Sequence, residues 1–533
     1  SIFEERRNQD MSNPTGASPH VVVHEDAAEK GQWELIPSRF HNLPVHMALL
    51  PSGKVLGFGG SCNDENQLLM PYPSELWDPA SGDTKIIEQP LAGDLFCVGH
   101  CHLADGRLLA AGGTYKYDGR LFGMPIPPFS GLDQAYSFDP ISESWTRLAD
   151  LGHGRWYPTL VTLGDGRVLA MAGFTKRFPW AFLRSIEIYS PGEGWHKLEG
   201  ADRWLPLYPR LHLLPSGEVF YAGSYNTHYS YPFRLKGFPT GLLNLEDRRW
   251  RTIGLPNSSQ REEGASVLLP LTPPDYQPQV LLVGGGTPTG EFAVPDAEII
   301  DLSVSDPKWE AIQPMKHARY YVYAVLLPDG NVLVLGGRSG SKKHDHPKDD
   351  HREHEPGQAQ AAEELPHDPR AVHEAELFDP TTRKWTTLAP MALDRLYHAN
   401  ALLLPDGRVM VAGSNPSRRT NELRIEIYSP PYLFKGPHPQ IEAAPAQIGY
   451  GAWFEIRTPQ AGAIGQVVLI RLSSTTHCLN TDQRYVGLEF NVSSPDTIAA
   501  RMPDNSNIAP PGYYMLFILQ DGVPSTARFI QVT

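Results

Sequence analysis

A pair of apolar runs joined by a short turn and closed by glycine is written seven times along this chain of 533 residues. The copies run Pro44–Gly60, Leu95–Gly113, Trp156–Gly173, Tyr208–Gly223, Ala265–Gly286, Tyr320–Gly337 and Tyr397–Gly413. Their turn chemistry and flanking β-formers are those of hairpins. A third run recurs as Leu76-Trp77-Asp78-Pro79, Phe138-Asp139-Pro140, Tyr189-Ser190-Pro191 and Phe378-Asp379-Pro380, and a fourth is marked by Trp145, Trp195, Trp250, Trp309 and Trp385. Four strands per unit, recurring about every 50 residues, predict kelch-type blades of one sheet each. The chain is therefore expected to be all-β, a seven-bladed β-propeller.

The seventh unit lacks its tryptophan strand, while Gln32-Trp33-Glu34-Leu35 stands alone near the start. Joining the two predicts that the N-terminal segment closes the ring and leaves no open edge. Residues 1–30 are polar and patternless and read as a flexible arm before a propeller over 31–434. The tract 341–368, with His344, His346, His351, His354 and His367 among mixed charges, reads as a disordered loop with loose metal capture as a secondary role. From about Pro437 the hairpins give way to short alternating strands, so 435–533 is expected to be an immunoglobulin-like β-sandwich.

Bulk properties exclude more than they assign. The 48 glycines and 50 prolines suit many short strands and turns rather than helices. A net charge of −14 argues against nucleic acid and anionic membranes as partners, and no apolar run is long enough to span a bilayer. Four cysteines are too few for a disulfide framework at this length. The chain shows no signal-peptide pattern. A native start at Met11 predicts a cytoplasmic protein, and removal of a leader a secreted one.

In a propeller the entrances of the inner strands meet around one mouth. Those positions hold Cys97, Tyr157, Tyr397 and His398, and the polar run Ser473–Arg484, expected to be a loop of the small domain, carries His477. Imidazoles and phenols together suit a Cu(II) ion. Leu95-Phe96-Cys97, Arg155-Trp156-Tyr157-Pro158-Thr159, Tyr397-His398 followed by Pro405-Asp-Gly-Arg408 and Ala412-Gly-Ser-Asn-Pro416, and Thr475-Thr-His477 through Asn480–Arg484 resemble the motifs of the copper radical oxidases, which include galactose oxidase and glyoxal oxidase. The Arg-Trp-Tyr-Pro-Thr form and Arg424–Leu433 are more similar to the glyoxal oxidase branch.

The resemblance, which runs from about residue 40 to the C-terminus, implies a mononuclear copper held by Tyr157, His398 and His477, with Tyr397 axial. It implies a thioether between Cys97 and Tyr157 that makes the tyrosine a one-electron cofactor, and Tyr397 as the base for the substrate hydroxyl. The implied reaction oxidises a small aldehyde or primary alcohol with O2 and yields hydrogen peroxide. In galactose oxidase a tryptophan stacks on the linked tyrosine. Here the count falls on Phe174 or Thr175, with a residue from another loop an equal alternative. The sugar-binding arginine falls near Tyr208-Pro209, with Arg210 one step along, so galactose is not the expected substrate. Phe174, Trp156, Arg210, Tyr225 and His228 are expected around the pocket. Two further readings compete: a non-catalytic propeller that binds protein or glycan, and a copper-binding protein without turnover.

Overall fold

The computed structural model describes residues 22–68, 73–89, 91–117, 120–121, 124–125, 129–176, 183–226, 238–258, 261–287, 292–340, 367–415 and 420–533. His228, and the tract 341–368 up to residue 366, fall outside them. The fold is a seven-bladed β-propeller followed by an immunoglobulin-like sandwich. The inner strands are His46–Leu49, Asp94–His102, Thr159–Thr162, Leu207–Leu213, Ala265–Leu268, Tyr323–Leu326 and Asn400–Leu403, each pairing antiparallel with the next strand of its own sheet. Both strands of the hairpins in blades one, three and seven are wholly buried, so their apolar residues are continuous rather than alternating.

The ring closes as the orphan strand predicted. Gln32–Arg39 pairs with Arg424–Ser429, placing Trp33 opposite Tyr428. Its indole N–H donates to Ala389 O of blade six at 2.8 Å. Four of the five fourth-strand tryptophans repeat that gesture, reaching back one blade, while the Trp195 indole N–H finds no acceptor among the described residues. Trp145 donates to Ser74 Oγ at 2.9 Å, Trp250 to Ala201 O at 2.9 Å, and Trp385 to Gln313 O at 2.8 Å. A ring that wedges between sheets while its N–H finds an acceptor buries area without orphaning a donor. The described end of the N-terminal arm differs from the sequence expectation. Ala27–Lys30 forms one helical turn with Ala27 buried, and Tyr428 Oη donates to Lys30 O at 2.6 Å.

A second repeat fixes the mouth. In four blades a buried arginine just before the inner strand pairs with a buried glutamate on the third strand. The pairs are Arg155–Glu187 (2.7 Å), Arg261–Glu298, Arg319–Glu376 (2.6 Å) and Arg395–Glu426 (3.0 Å). Each guanidinium also donates to a carbonyl near its hairpin's closing glycines: Ala172, Leu282, Gly336 and Gly413. Blade one keeps the glutamate, Glu75, but satisfies it with the amides of His41 and Asn42. Charge and hydrogen bonds thus clamp the entrance of the inner strand onto the exit of its neighbour.

The small domain stacks a sheet of Gln447–Ile448, Arg528–Val532, Gly512–Gln520, Gln466–Arg471 and Tyr485–Gly487 on a three-stranded one of Trp453–Arg457, Thr497–Arg501 and Glu489–Ser494. The polar run after Arg471 is not a plain loop. Ser474–Thr476 and Leu479–Asn480 make a hairpin whose first strand pairs with the inner strand of blade one, Met47 with Thr475 and Ala48 with Ser474. Its polar side chains fit because the channel supplies acceptors: Thr475 and Thr476 hydroxyls donate to Met47 O and Val45 O. The sandwich domain thereby delivers His477 to the propeller axis.

Candidate metal centre

Seen along the axis, one residue at each of six strand entrances has a left-handed backbone: Cys97 (φ 62°), Tyr157 (61°), Tyr208 (46°), Glu263 (58°), Tyr321 (59°) and His398 (61°). His477, at the tip of the inserted hairpin, adds a seventh at 46°. Non-glycine residues in this region carry roughly 1–3 kcal/mol of strain each and persist where surrounding structure over-determines them. Here the over-determination is visible. Tyr157 N donates to Cys97 O at 3.1 Å, and Tyr208 N to Tyr157 O at 2.9 Å. Gly131 lies so close to the Arg155–Trp156 backbone that a Cβ there would sit 2.2 Å from two of its atoms. Only glycine permits that approach.

The side chains so aimed converge. His398 Nε2 and His477 Nε2 are 2.9 Å apart, and Cys97 Sγ is 3.8 Å from His477 Nε2. Tyr157 and Tyr397 share a hydroxyl–hydroxyl hydrogen bond of 2.7 Å. The Tyr157 and His477 ring centroids lie 4.8 Å apart. Cys97, Tyr157, His398 and His477 are buried, and Tyr397, at the open side, is only partly so.

Hydrogen bonds select the tautomers. Thr476 Oγ1 gives its proton to Val45 O (2.9 Å), so it accepts from His477 Nδ1 at 2.6 Å. Asn415 uses its amide nitrogen on Thr420 O and Asn421, leaving Oδ1 to accept from His398 Nδ1 at 3.3 Å. Both protons then sit on Nδ1, and two Nε2 lone pairs face each other across 2.9 Å. Burial holds both rings neutral, His398 down to about 3 and His477 well below its ordinary value. Two opposed lone pairs beside two phenols form a donor set that fits a cation, and its N and O chemistry fits Cu(II). Burial also raises Tyr157, Tyr397 and the Cys97 thiol well above their ordinary values, although the contact with Tyr157 works the other way on the thiol.

Two family models match the chain. The model described as glyoxal oxidase N-terminus matches residues 73–432, well over half the chain, and the galactose oxidase-like early set domain matches 438–532. The chain belongs to the glyoxal oxidase family of copper oxidoreductases. Among its relatives, the aldehyde oxidase GLOX of Vitis pseudoreticulata is 28% identical, over 94% of this chain and 97% of that one. A galactose oxidase of Gibberella zeae is 26% identical, over 86% of this chain and 64% of its own length. A solved fungal alcohol oxidase of the AA5 family, in complex with copper, shares the fold with a TM-score of 0.76 at 24% identity, covering 95% of this chain and all of that one.

Around the glyoxal oxidase-type centre, the pocket differs in part from the sequence expectation. Trp156, not Phe174, lies on Tyr157, with centroids 3.8 Å apart and planes 15° from parallel. Tyr208 covers the opposite face at 4.3 Å. Phe174 stacks one layer out, 5.6 Å from Trp156, beside Phe129 at 4.2 Å. Arg210 does not reach the pocket. It is buried and its guanidinium donates to Gly264 O and Arg261 O, tying blade four to blade five, and burial brings it down to about 10. Tyr225 does reach it, its ring 5.4 Å from His477, and its buried hydroxyl has no hydrogen-bond partner among the described residues. Sequence reasoning missed Thr476, Asn415, Tyr208 and Glu263. The first two lie inside quoted motifs, and the last two occupy the same entrance position as Cys97 and Tyr157. That shared register was the available signal.

Proposed function

We propose that this chain is a copper radical oxidase that converts a small aldehyde or primary alcohol, with O2, into its oxidised product and hydrogen peroxide. The observation that carries this is the convergence of two Nδ1-protonated imidazoles and two phenols on one point, with the Cys97 thiol against Tyr157. Tyr157, Tyr397, His398 and His477 would hold the ion. Bound there, copper supplies a one-electron couple and a Lewis acid for the substrate oxygen.

The second oxidising equivalent belongs to the protein. Cys97 and Tyr157 lose one S–H and one ring C–H hydrogen and form a C–S bond, with both hydrogens passing to O2 as hydrogen peroxide. The linked ring, sandwiched between Trp156 and Tyr208, is shielded from water and spreads an unpaired electron over a stacked column. Burial alone keeps Tyr397 a protonated phenol, so it would accept the substrate hydroxyl proton as the phenolate that a bound ion stabilises. The Tyr157 phenoxyl then takes a hydrogen atom from the substrate carbon. Across one turnover the alcohol, or the aldehyde as its hydrate RCH(OH)2, loses two hydrogens and O2 gains them.

A small substrate is favoured by the walls. Tyr208, Tyr225 and Tyr321 line the axis with rings, and the free Tyr225 hydroxyl offers one hydrogen bond. Arg210 is spent on backbone carbonyls, which removes the group that would grip a sugar.

The test is intact mass and peptide mapping before and after copper loading in air. Loss of two hydrogens, with the Cys97 and Tyr157 peptides joined by a bond that reductant leaves intact, supports the radical oxidase. Peroxide release across a panel of small aldehydes and alcohols then ranks substrates. Two separate peptides after full loading would leave a copper-binding protein without turnover.

A further inference from the structure

A second group of metal-type donors lies between blade six and the segment that enters blade seven. His367 Nδ1 and His373 Nε2 approach one carboxylate oxygen, Asp394 Oδ1, at 2.9 and 2.7 Å. The three donor atoms lie within 4.8 Å of one another, and the two rings are 5.3 Å apart. We propose that His367, His373 and Asp394 form a second, solvent-accessible site for a divalent transition ion of the Zn(II) or Cu(II) class.

Three features support a built site rather than a chance meeting. Asp394 is held from behind: its other oxygen accepts from the Asp368 amide at 2.6 Å, so Oδ1 is aimed at the imidazoles. Asp368 is in turn fixed by Arg338 at 3.0 Å and by Arg370. Supporting hydrogen bonds of this kind orient ligating carboxylates. Second, the donors come from two blades. His373 precedes the third strand of blade six, Glu374–Asp379, and Met391 N donates to its carbonyl at 2.9 Å. Asp394 sits in the entrance to blade seven, next to Arg395 and four residues before His398. An ion here would pin blade six to the segment that presents Tyr397 and His398.

Third, the donor types set the ion. Two imidazole nitrogens and one carboxylate oxygen suit Zn(II) and Cu(II) better than Mg(II) or Ca(II), which take oxygen shells. Side-chain exposures of 62% for His367, 26% for His373 and 17% for Asp394 leave the solvent side open for water ligands and exchange.

The experiment titrates Zn(II) into copper-loaded, cross-linked enzyme, read by calorimetry and by the unfolding midpoint, with Co(II) absorption reporting nitrogen and oxygen ligation. Wild type is expected to take up one equivalent beyond the axial copper and to gain several degrees in midpoint. His373→Gln and Asp394→Asn, checked for native circular dichroism, are expected to weaken that uptake at least tenfold. A variant with His344, His346, His351 and His354 all changed to alanine is expected to retain it. Absence of a saturable extra equivalent would overturn the proposal. So would uptake lost in the four-histidine variant but kept in His373→Gln and Asp394→Asn. Because the readout is uptake of a second ion, it stands or falls separately from the radical chemistry at the axis.

Discussion

The axial and the outer donor groups use the same residue types and reach opposite chemical states. At the axis, burial keeps His398 and His477 neutral, and Thr476 and Asn415 hold the one remaining ring proton of each on Nδ1. At the outer group the hydrogen bond that His373 donates to Asp394 raises the imidazole above its ordinary value, against a smaller effect of burial. The axial donors are spread over residues 97–477 and meet only when four parts of the fold are assembled. The outer donors lie within a single stretch of blade six and the entrance to blade seven. A site that must keep its nitrogens bare and shield a reactive ring needs the whole propeller. A site that only exchanges an ion needs two loops and a well-held carboxylate.

That contrast breaks first at the buried arginines. Arg155→Met leaves Glu187 an uncompensated buried charge beside the Trp156–Tyr157 entrance. Thermal or denaturant unfolding should show a loss of about 3–5 kcal/mol. A loss below 1 kcal/mol would mean that the clamp does not organise the mouth.

Two aspartates sharpen it next. Buried Asp94 lies near the axis, where Ser61 and the Phe96 amide hydrogen-bond it, yet burial prevails and lifts it to about 6. A carboxyl raised on folding contributes stability that is fully present below its ordinary value near 4 and is lost as pH rises through about 6. Its contribution is of the order of 3 kcal/mol, and Asp94→Asn should flatten that slope in unfolding measured from pH 4 to 7. Asp394 runs the other way. Burial would raise it, but hydrogen bonds from His373, the Asp368 amide and His367 bring it below its ordinary value. Its contribution is present above the ordinary value and fades as pH falls through the lowered one.

The tautomer lock is a subtler test. Thr476→Val keeps the shape but removes the acceptor that holds the proton on His477 Nδ1. Copper affinity, measured by chelator competition, is expected to fall roughly 10–100-fold with the fold intact. The smallest effect is at the outer group, where Asp394→Asn without added metal should cost about 1 kcal/mol or less, as partly exposed pairs do. A larger loss would mark the cluster as structural.

Much of the fold was legible because each blade repeats its own local chemistry. The hairpin turns, the fourth-strand tryptophans and the unpaired Trp33 strand each carried a period or a missing partner, and the structure pairs them as expected. The motifs that resemble the copper radical oxidases located Cys97, Tyr157, Tyr397, His398 and His477, and the structure brings them together. What stayed hidden depends on contacts far apart in sequence. The Ser473–Arg484 run reads as a loop because its residues are polar, and becomes a strand only where blade one offers Met47 and Ala48 as partners. Arg210 looks like a substrate ligand until Gly264 and Arg261 present their carbonyls to it. The Arg–Glu clamps were written in the chain, in four blades an arginine two or three residues before the axial residue and a glutamate on the third strand. Their meaning required knowing which side of the sheet each faces.

The strand that shuts the ring has a consequence in the order of synthesis. Trp33 leaves the ribosome nearly four hundred residues before Tyr428, its partner in blade seven. The first strand made must therefore wait for the last blade, and the ring stays open while the chain is being built. His477 emerges later still. Cys97 and Tyr157 thus exist early as an ordinary thiol and phenol. The nascent chain cannot assemble a redox-active centre before its protective shell is complete.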